Sequence, residues 1–292
     1  MILPRRFIHS GLSPVTGGIP YPLPEYVYEK TSPTIGASWA GLDIRDNGSR
    51  IYLSSAVDLV AQRDLSTPGD IATIGAQTTN TIIPRNDLPS CRIRDDDGSQ
   101  FWYLKDDAGV VRIYKFQLPT AYTLVGATDA GANSTNLLTS IISTSSAKGL
   151  SIHPNGDRGW TLDPVNASYA HLVEFTMGSS WSAGGLDCPS PDCIREQVDY
   201  TSTQYWDMVF SDDGWLVFFS SASYLSYYVL PAPWDIDGMS STPTYELDIT
   251  AQSSESGTPS GIRGITVSSD MNKVYILSIS SREIYQYKKI GT

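Results

Sequence analysis

Few residues in this chain have the type and spacing to do chemistry. There are three histidines, His9, His153 and His171, and neither His153 nor His171 has a carboxylate or cysteine at metal-ligand spacing. No GxSxG, HExxH, Walker A or GxGxxG stretch occurs. The Asp-rich stretches DNG, DDDG and DDG lack the alternating ligand order and the closing Glu that a calcium loop needs, so they read as hairpin turns. Three acids, Asp43, Asp95 and Asp207, fall on or beside the strands expected to be innermost, and no Glu joins them. Glycoside hydrolysis needs an acid and a base or nucleophile flanking one bond, and these positions do not assemble that pair. Cys188 and Cys193 flank a Pro-rich loop, CPSPDC. They either close it as a disulfide or stay as thiols, and a cytoplasmic product starts reduced. Cys91 reads as a small core residue. No catalytic residue, metal or cofactor is expected.

The elements that must position these residues come from a repeat. Stretches beginning at Gly41, Cys91, Gly149, Phe210 and Gly264 share an apolar run, a tight turn and two further β-rich runs. The turn positions are Gly48, Gly98, Gly156, Gly214 and Asn272; Gly and Asn are the residues most tolerant of positive φ. Self-similarity at this period predicts the blades of a propeller. Four copies carry a fourth candidate strand, at 71–77, 122–128, 181–186 and 245–250, and the last copy has none. EYVYEK near the start supplies the missing one. The expected fold is all-β: a five-bladed β-propeller with four-stranded antiparallel blades, closed by the N-terminal strand. Tyr26, Val27 and Tyr28 are expected beside Tyr285 and Tyr287, which covers an otherwise bare edge. The bounds are an arm at 1–24 and a ring at 25–292. Within the ring lie a closing strand at 25–32 and blades at about 38–79, 88–130, 147–187, 204–251 and 261–292.

Inside the ring, Leu42, Cys91, Leu150, Met208 and Ile265 share one position, and Ile44, Ile93, Ile152, Phe210 and Val267 the position two later. This period-2 match predicts packing between blades. Between them lie Asp43, Arg92, Ser151, Val209 and Thr266. Asp43 and Arg92 fall on adjacent blades and are expected to pair, either as an ion pair that fixes register or as polar groups that touch a ligand at a channel mouth. Tyr52, Trp102, Trp160 and Tyr275 open the second strands and are read as packing against the next blade.

Composition narrows the partners. A net charge of −11 with no basic cluster beyond Arg5-Arg6 excludes a nucleic-acid backbone. No stretch approaches 18 apolar residues, which excludes a membrane-spanning helix. The N-terminus lacks the apolar core of a signal peptide. Residues 1–24 hold prolines and glycines with scattered apolar residues and read as an extended arm. Phe7 and Ile8 would anchor it, with Arg5 and Arg6 as donors, on a neighbouring protein.

The pattern apolar–Ser–Asp–Asp–Gly–x–x–Val–Phe–Phe, with YYVLPAPWDI in the fourth copy and VAQRDLSTPGDI in the first, resembles the propeller repeats of bacteriophage structural and tail-associated proteins. It is also similar to bacterial YVTN or lactonase-like propellers. The resemblance implies a non-catalytic virion component, made in the host cytoplasm without a signal peptide. Its arm would dock on another virion protein and its ring would face outward toward host glycans. A soluble carbohydrate-binding propeller is the alternative, and a hydrolase with its site at the channel mouth is the third.

Overall fold

The computed structural model describes residues 22–36, 39–45, 47–55, 57–86, 90–93, 97–107, 110–129, 135–136, 147–177, 194–200, 204–251 and 261–290. These form five small antiparallel sheets. Blade one is Trp39–Arg45, Arg50–Ser55, Val57–Leu65 and Ile74–Asn86. Blade two is Ser90–Ile93, Gln100–Asp107 and Val110–Gln117, edged by two short pieces, Thr128–Asp129 and Thr135–Asn136. Blade three is Lys148–Ile152, Arg158–Pro164, Tyr169–Thr176 and Arg195–Asp199. Blade four is Tyr205–Phe210, Leu216–Ser221, Tyr224–Val229 and Tyr245–Asp248. Blade five is Ile262–Val267, Lys273–Ser278 and Glu283–Ile290, completed by Glu25–Thr31. Among the described residues the only helix is the 3₁₀ turn Ile71–Thr73. No helix there is long and apolar enough to cross a membrane.

The innermost strand of each blade packs against those of its two neighbours, and the fifth returns to the first. The clasp is the expected one: Tyr28 lies opposite Tyr287 and Thr31 opposite Tyr285. Tyr26 is buried, and its hydroxyl donates to Met271 O at 2.9 Å. Apolar side chains close the ring, because each blade-to-blade seam holds its own cluster. Leu150 and Ile152 meet Trp102 and Leu104 in one, and Ile265 and Val267 meet Phe218 and Leu216 in another. The period-2 apolar faces predicted for the innermost strands are the faces that fill these seams.

The turns recur for a reason visible in blade four. Ser211 Oγ donates to Asp213 Oδ1 at 2.6 Å, and that oxygen accepts from Trp215 N at 3.2 Å. Side chains thus hold the turn, an Asx-type arrangement. Gly214 sits at φ 75°, and its carbonyl accepts from Trp234 N at 2.8 Å. A Cβ on Gly214 would lie 2.2 Å from the Trp234 ring. Blade two repeats the contact with Tyr122 N on Gly98 O, and blade one with Gly69 N on Gly48 O. The LPTAYTL stretch is therefore the counterpart of LPAPWDI, with Tyr122 in the place of Trp234. These loops also latch neighbouring blades. Tyr52 Oη donates to Tyr122 O at 2.6 Å, and Tyr275 Oη to Gly69 O at 3.0 Å. Of the aromatic residues that open the second strands, the two tyrosines thus bond to the next blade, while Trp160 Nε1 donates within its own blade to Glu174 Oε2 at 3.0 Å.

Three outer strands differ from expectation. In blade three the fourth strand is Arg195–Asp199, whereas 181–186 lies outside the described residues, as do Cys188 and Cys193. In blade two the stretch 122–128 forms turns, and the edge is carried by the two short pieces. In blade one residues 71–73 form the 3₁₀ turn before the strand begins. Outermost strands bury one face at most, so their apolar alternation is weak. Only Val198 of Arg195–Asp199 is buried. The arm residues Arg5, Arg6, Phe7 and Ile8 also lie outside the described residues.

Candidate functional site

The polar residues of the innermost strands converge at the ring centre. Arg92 is buried there, and its guanidinium gathers acceptors from four blades. Nη1 donates to Leu42 O at 3.0 Å and to Cys91 O at 2.6 Å. Nη2 donates to Asp207 Oδ1 at 3.2 Å, to Ile265 O at 3.4 Å and to Met208 O. Asp207 Oδ1 also accepts from Ser90 Oγ and Met208 N, each at 2.9 Å, and Oδ2 from Ile265 N at 3.1 Å. Leu150 N donates to Ser90 Oγ at 3.1 Å, which brings in the remaining blade. The result is a plug that ties all five blades at the axis.

Asp43 takes a different partner from the one expected. Its carboxylate pairs with Arg45 Nε at 3.1 Å and accepts from Ile44 N, Ile93 N and Thr266 Oγ1. Arg92 pairs instead with Asp207, two blades away. A five-bladed ring is narrow enough for a guanidinium to cross the axis, so adjacency along the ring does not decide the pairing. Burial pushes the Asp207 carboxyl up to about 6, against the Arg92 charge and the bonds from Ile265 N, Ser90 and Met208 N. Burial also pushes the Cys91 thiol up to about 12, so it stays an unreactive core group. Asp95 lies outside the described residues. His153 and His171 are both held below the usual imidazole range by burial. His153 sits edge-on against Trp234 at 4.9 Å, a packing role.

At the turn side of the plug the channel opens into a cavity of about 400 Å³. Asp212, Arg45, Asp270, Lys273, Tyr122 and Tyr275 border it. Asp212 also edges a small recess of about 20 Å³ that reaches Arg92 and Ser151. Most of these polar groups are already engaged. Asp270 Oδ1 accepts from Ser268 Oγ at 2.6 Å and Asn272 N at 3.0 Å, and Oδ2 from Asn272 Nδ2 at 2.7 Å. Burial works against ionisation of Asp270, but these bonds outweigh it and hold the carboxyl low. Lys273 Nζ donates to Gly69 O at 2.7 Å.

Asp212 is the exception, with no hydrogen-bond donor and no ion-pair partner among the described residues. Asp212 is exposed to solvent at the cavity edge; the protein mass beside it raises its carboxyl, and the Arg45 charge works in the other direction. Asp212 was legible in the sequence only as part of a turn. The signal that separates it from Asp213 is its offset: Asp213 is placed to receive Ser211, and Asp212 is not.

No family model and no curated protein matches the chain. Among solved structures 1020 chains match, so the fold by itself does not choose an activity. One is the PQQ-bound form of an aldose sugar dehydrogenase from Streptomyces coelicolor. It aligns with a TM-score of 0.53 at 10% identity, over 92% of this chain and 99% of that one. The likeness is one of fold. It corrects the expectation of a non-catalytic virion component, since the structure it leads to is the propeller of an enzyme. The physical reason for the error lies in the motif. Ser–Asp–Asp–Gly and Pro–Trp–Asp–Ile close a hairpin and dock the following loop. Any propeller can use that pair, so it marks the blade and carries no information about a virion.

Proposed function

We propose that this propeller takes a small polyhydroxylated ligand of the sugar class in the turn-side cavity. The observation that carries the reading is the Asp212 carboxylate. It stands without a donor among the described residues, at the edge shared by the cavity and the recess that reaches the plug, both of which Arg45 also lines. A carboxylate next to a guanidinium offers acceptors and positive field to neighbouring hydroxyls, and Tyr122 and Tyr275 supply aromatic wall. The volume falls within the range of about 300–1,000 Å³ usual for small-molecule sites. The aligned enzyme is an aldose sugar dehydrogenase, which agrees with the ligand class.

The test is calorimetric titration of the full chain with a panel of neutral mono- and disaccharides. At least one should bind, and Asp212→Asn should weaken it about tenfold, the loss of a charged hydrogen-bond acceptor. A panel with no binder, or binding indifferent to Asp212→Asn, would overturn the reading.

One observation favours a second reading. A carboxyl raised above its ordinary range is what protonation of a leaving oxygen requires, and Asp212 has that tendency. The other carboxylate bordering the cavity, Asp270, has both oxygens engaged, which speaks for binding over hydrolysis. Turnover of nitrophenyl glycosides that Asp212→Asn abolishes while sugar binding persists would assign catalysis.

A further inference from the structure

The end of the channel away from the turns carries a different chemistry. Lys148, Trp206 and Arg263 occupy equivalent places on blades three, four and five, each one residue before Gly149, Asp207 or Gly264. The strand register breaks at this point in all three, between Lys148 and Leu150, Tyr205 and Asp207, and Ile262 and Gly264. A bulge re-aims a side chain, and the same break recurs on blade one between Trp39 and Gly41, so four successive blades share it. The glycines let the blades close in below: a Cβ on Gly264 would lie 2.9 Å from Leu42 N, and one on Gly149 the same distance from Met208 N. The three side chains meet above. Arg263 Cζ lies 3.2 Å from the Trp206 ring centre and Lys148 Nζ 4.8 Å from it.

We propose that this mouth is an oxyanion site, built from Arg263, Lys148 and Trp206, for the carboxylate or phosphate of a small molecule. Three observations support it. Arg263 is half-buried and has no hydrogen-bond acceptor or carboxylate partner among the described residues; its one contact of note is the Trp206 ring. The acid next in sequence to Trp206, Asp207, is fully buried, and its oxygens are filled by Arg92, Ser90 and two backbone amides. The plug itself balances, Arg92 and Arg45 against Asp207 and Asp43, so it supplies no surplus negative charge to this mouth. Burial pulls Arg263 below its ordinary range.

The Arg fork suits bidentate recognition of a carboxylate or phosphate, and the stack on Trp206 holds its plane. On blade one the same place is Ala40, which leaves that side of the mouth without a long side chain. The chain carries a net charge of −11, so long-range attraction does not help an anion arrive. The affinity has to come from these short contacts.

The experiment titrates the full chain with inorganic phosphate and, separately, with D-glucuronate, by calorimetry at low salt. Wild type should bind at least one of them, Arg263→Gln should weaken that binding about tenfold or more, and Lys148→Gln should weaken it less. Added salt should weaken it too. Phosphate carries no sugar hydroxyls, so its binding should be unchanged by Asp212→Asn at the other mouth, and this site and the sugar site fail independently. Binding of phosphate alone assigns a phosphate ester, and binding of glucuronate alone assigns a carboxylate. Arg263→Lys keeps the charge without the fork; with wild-type melting it should bind more weakly than wild type and more tightly than Arg263→Gln. The proposal falls if neither anion binds wild type, or if Arg263→Gln with wild-type melting binds equally well.

Discussion

The middle of the channel and its two mouths are built from the same five strands, yet they treat polar groups in opposite ways. In the middle, the Asp207 and Asp43 carboxylates and the terminal nitrogens of Arg92 are filled by the protein. At the mouths, Asp212 and Arg263 meet no hydrogen-bond or ion-pair partner among the described residues. The difference separates a structural charge from a functional one. A buried charge that bonds to several blades fixes their spacing, whereas a mouth charge with no partner contributes little to folding. Within one repeat, the state of satisfaction says more about role than residue type does.

The largest expected effect strikes the middle. Arg92→Ala removes donors to Leu42 O, Cys91 O, Met208 O and Ile265 O and leaves Asp207 buried without its cation. Removing one partner of a buried pair costs about 3–5 kcal/mol. Denaturant unfolding should show a midpoint shift of that size, with sugar and anion sites retained in whatever fraction stays folded. A loss under 1 kcal/mol, the range of exposed pairs, would mean that the plug is not structural.

The next effect is a pH dependence. The Asp207 carboxyl rises from 3.8 to about 6 on folding. The folded state therefore holds this proton more tightly, and the carboxyl's contribution is fully present below about 4 and lost as pH rises through about 6. Each unit is worth about 1.4 kcal/mol, so the stability of wild type relative to Asp207→Asn should fall by roughly 2–3 kcal/mol between those limits and stay level above them. A flat difference across the window would show that Arg92 and the amide donors outweigh burial.

The sequence displays the ring better than it displays its contacts. Blade number and clasp are legible because turn glycines and innermost apolar pairs repeat, and because Glu25–Thr31 has no other edge to fill. The Arg92–Asp207 pair is not legible, since it joins blades that are not neighbours and depends on the channel's width. Arg195–Asp199 is missed because a polar strand with one buried residue has no period to read. Lys148, Trp206 and Arg263 carry a signal, a shared offset before the innermost glycine or aspartate. It becomes meaningful only once the bulges bring the three together.

The smallest expected effect tests the comparison from the other side. Asp212→Asn takes no hydrogen bond from the fold and removes a charge that its surroundings disfavour, with Asp213, Asp270 and Asp43 nearby and Arg45 in opposition. Surface substitutions away from such bonds usually stay within about 0.5 kcal/mol. Unfolding at neutral pH should therefore show no loss, or a slight gain, while sugar affinity drops. If Asp212→Asn instead costs as much as Arg92→Ala, the carboxylate is part of the frame, and the contrast between a filled middle and open mouths no longer holds at that end.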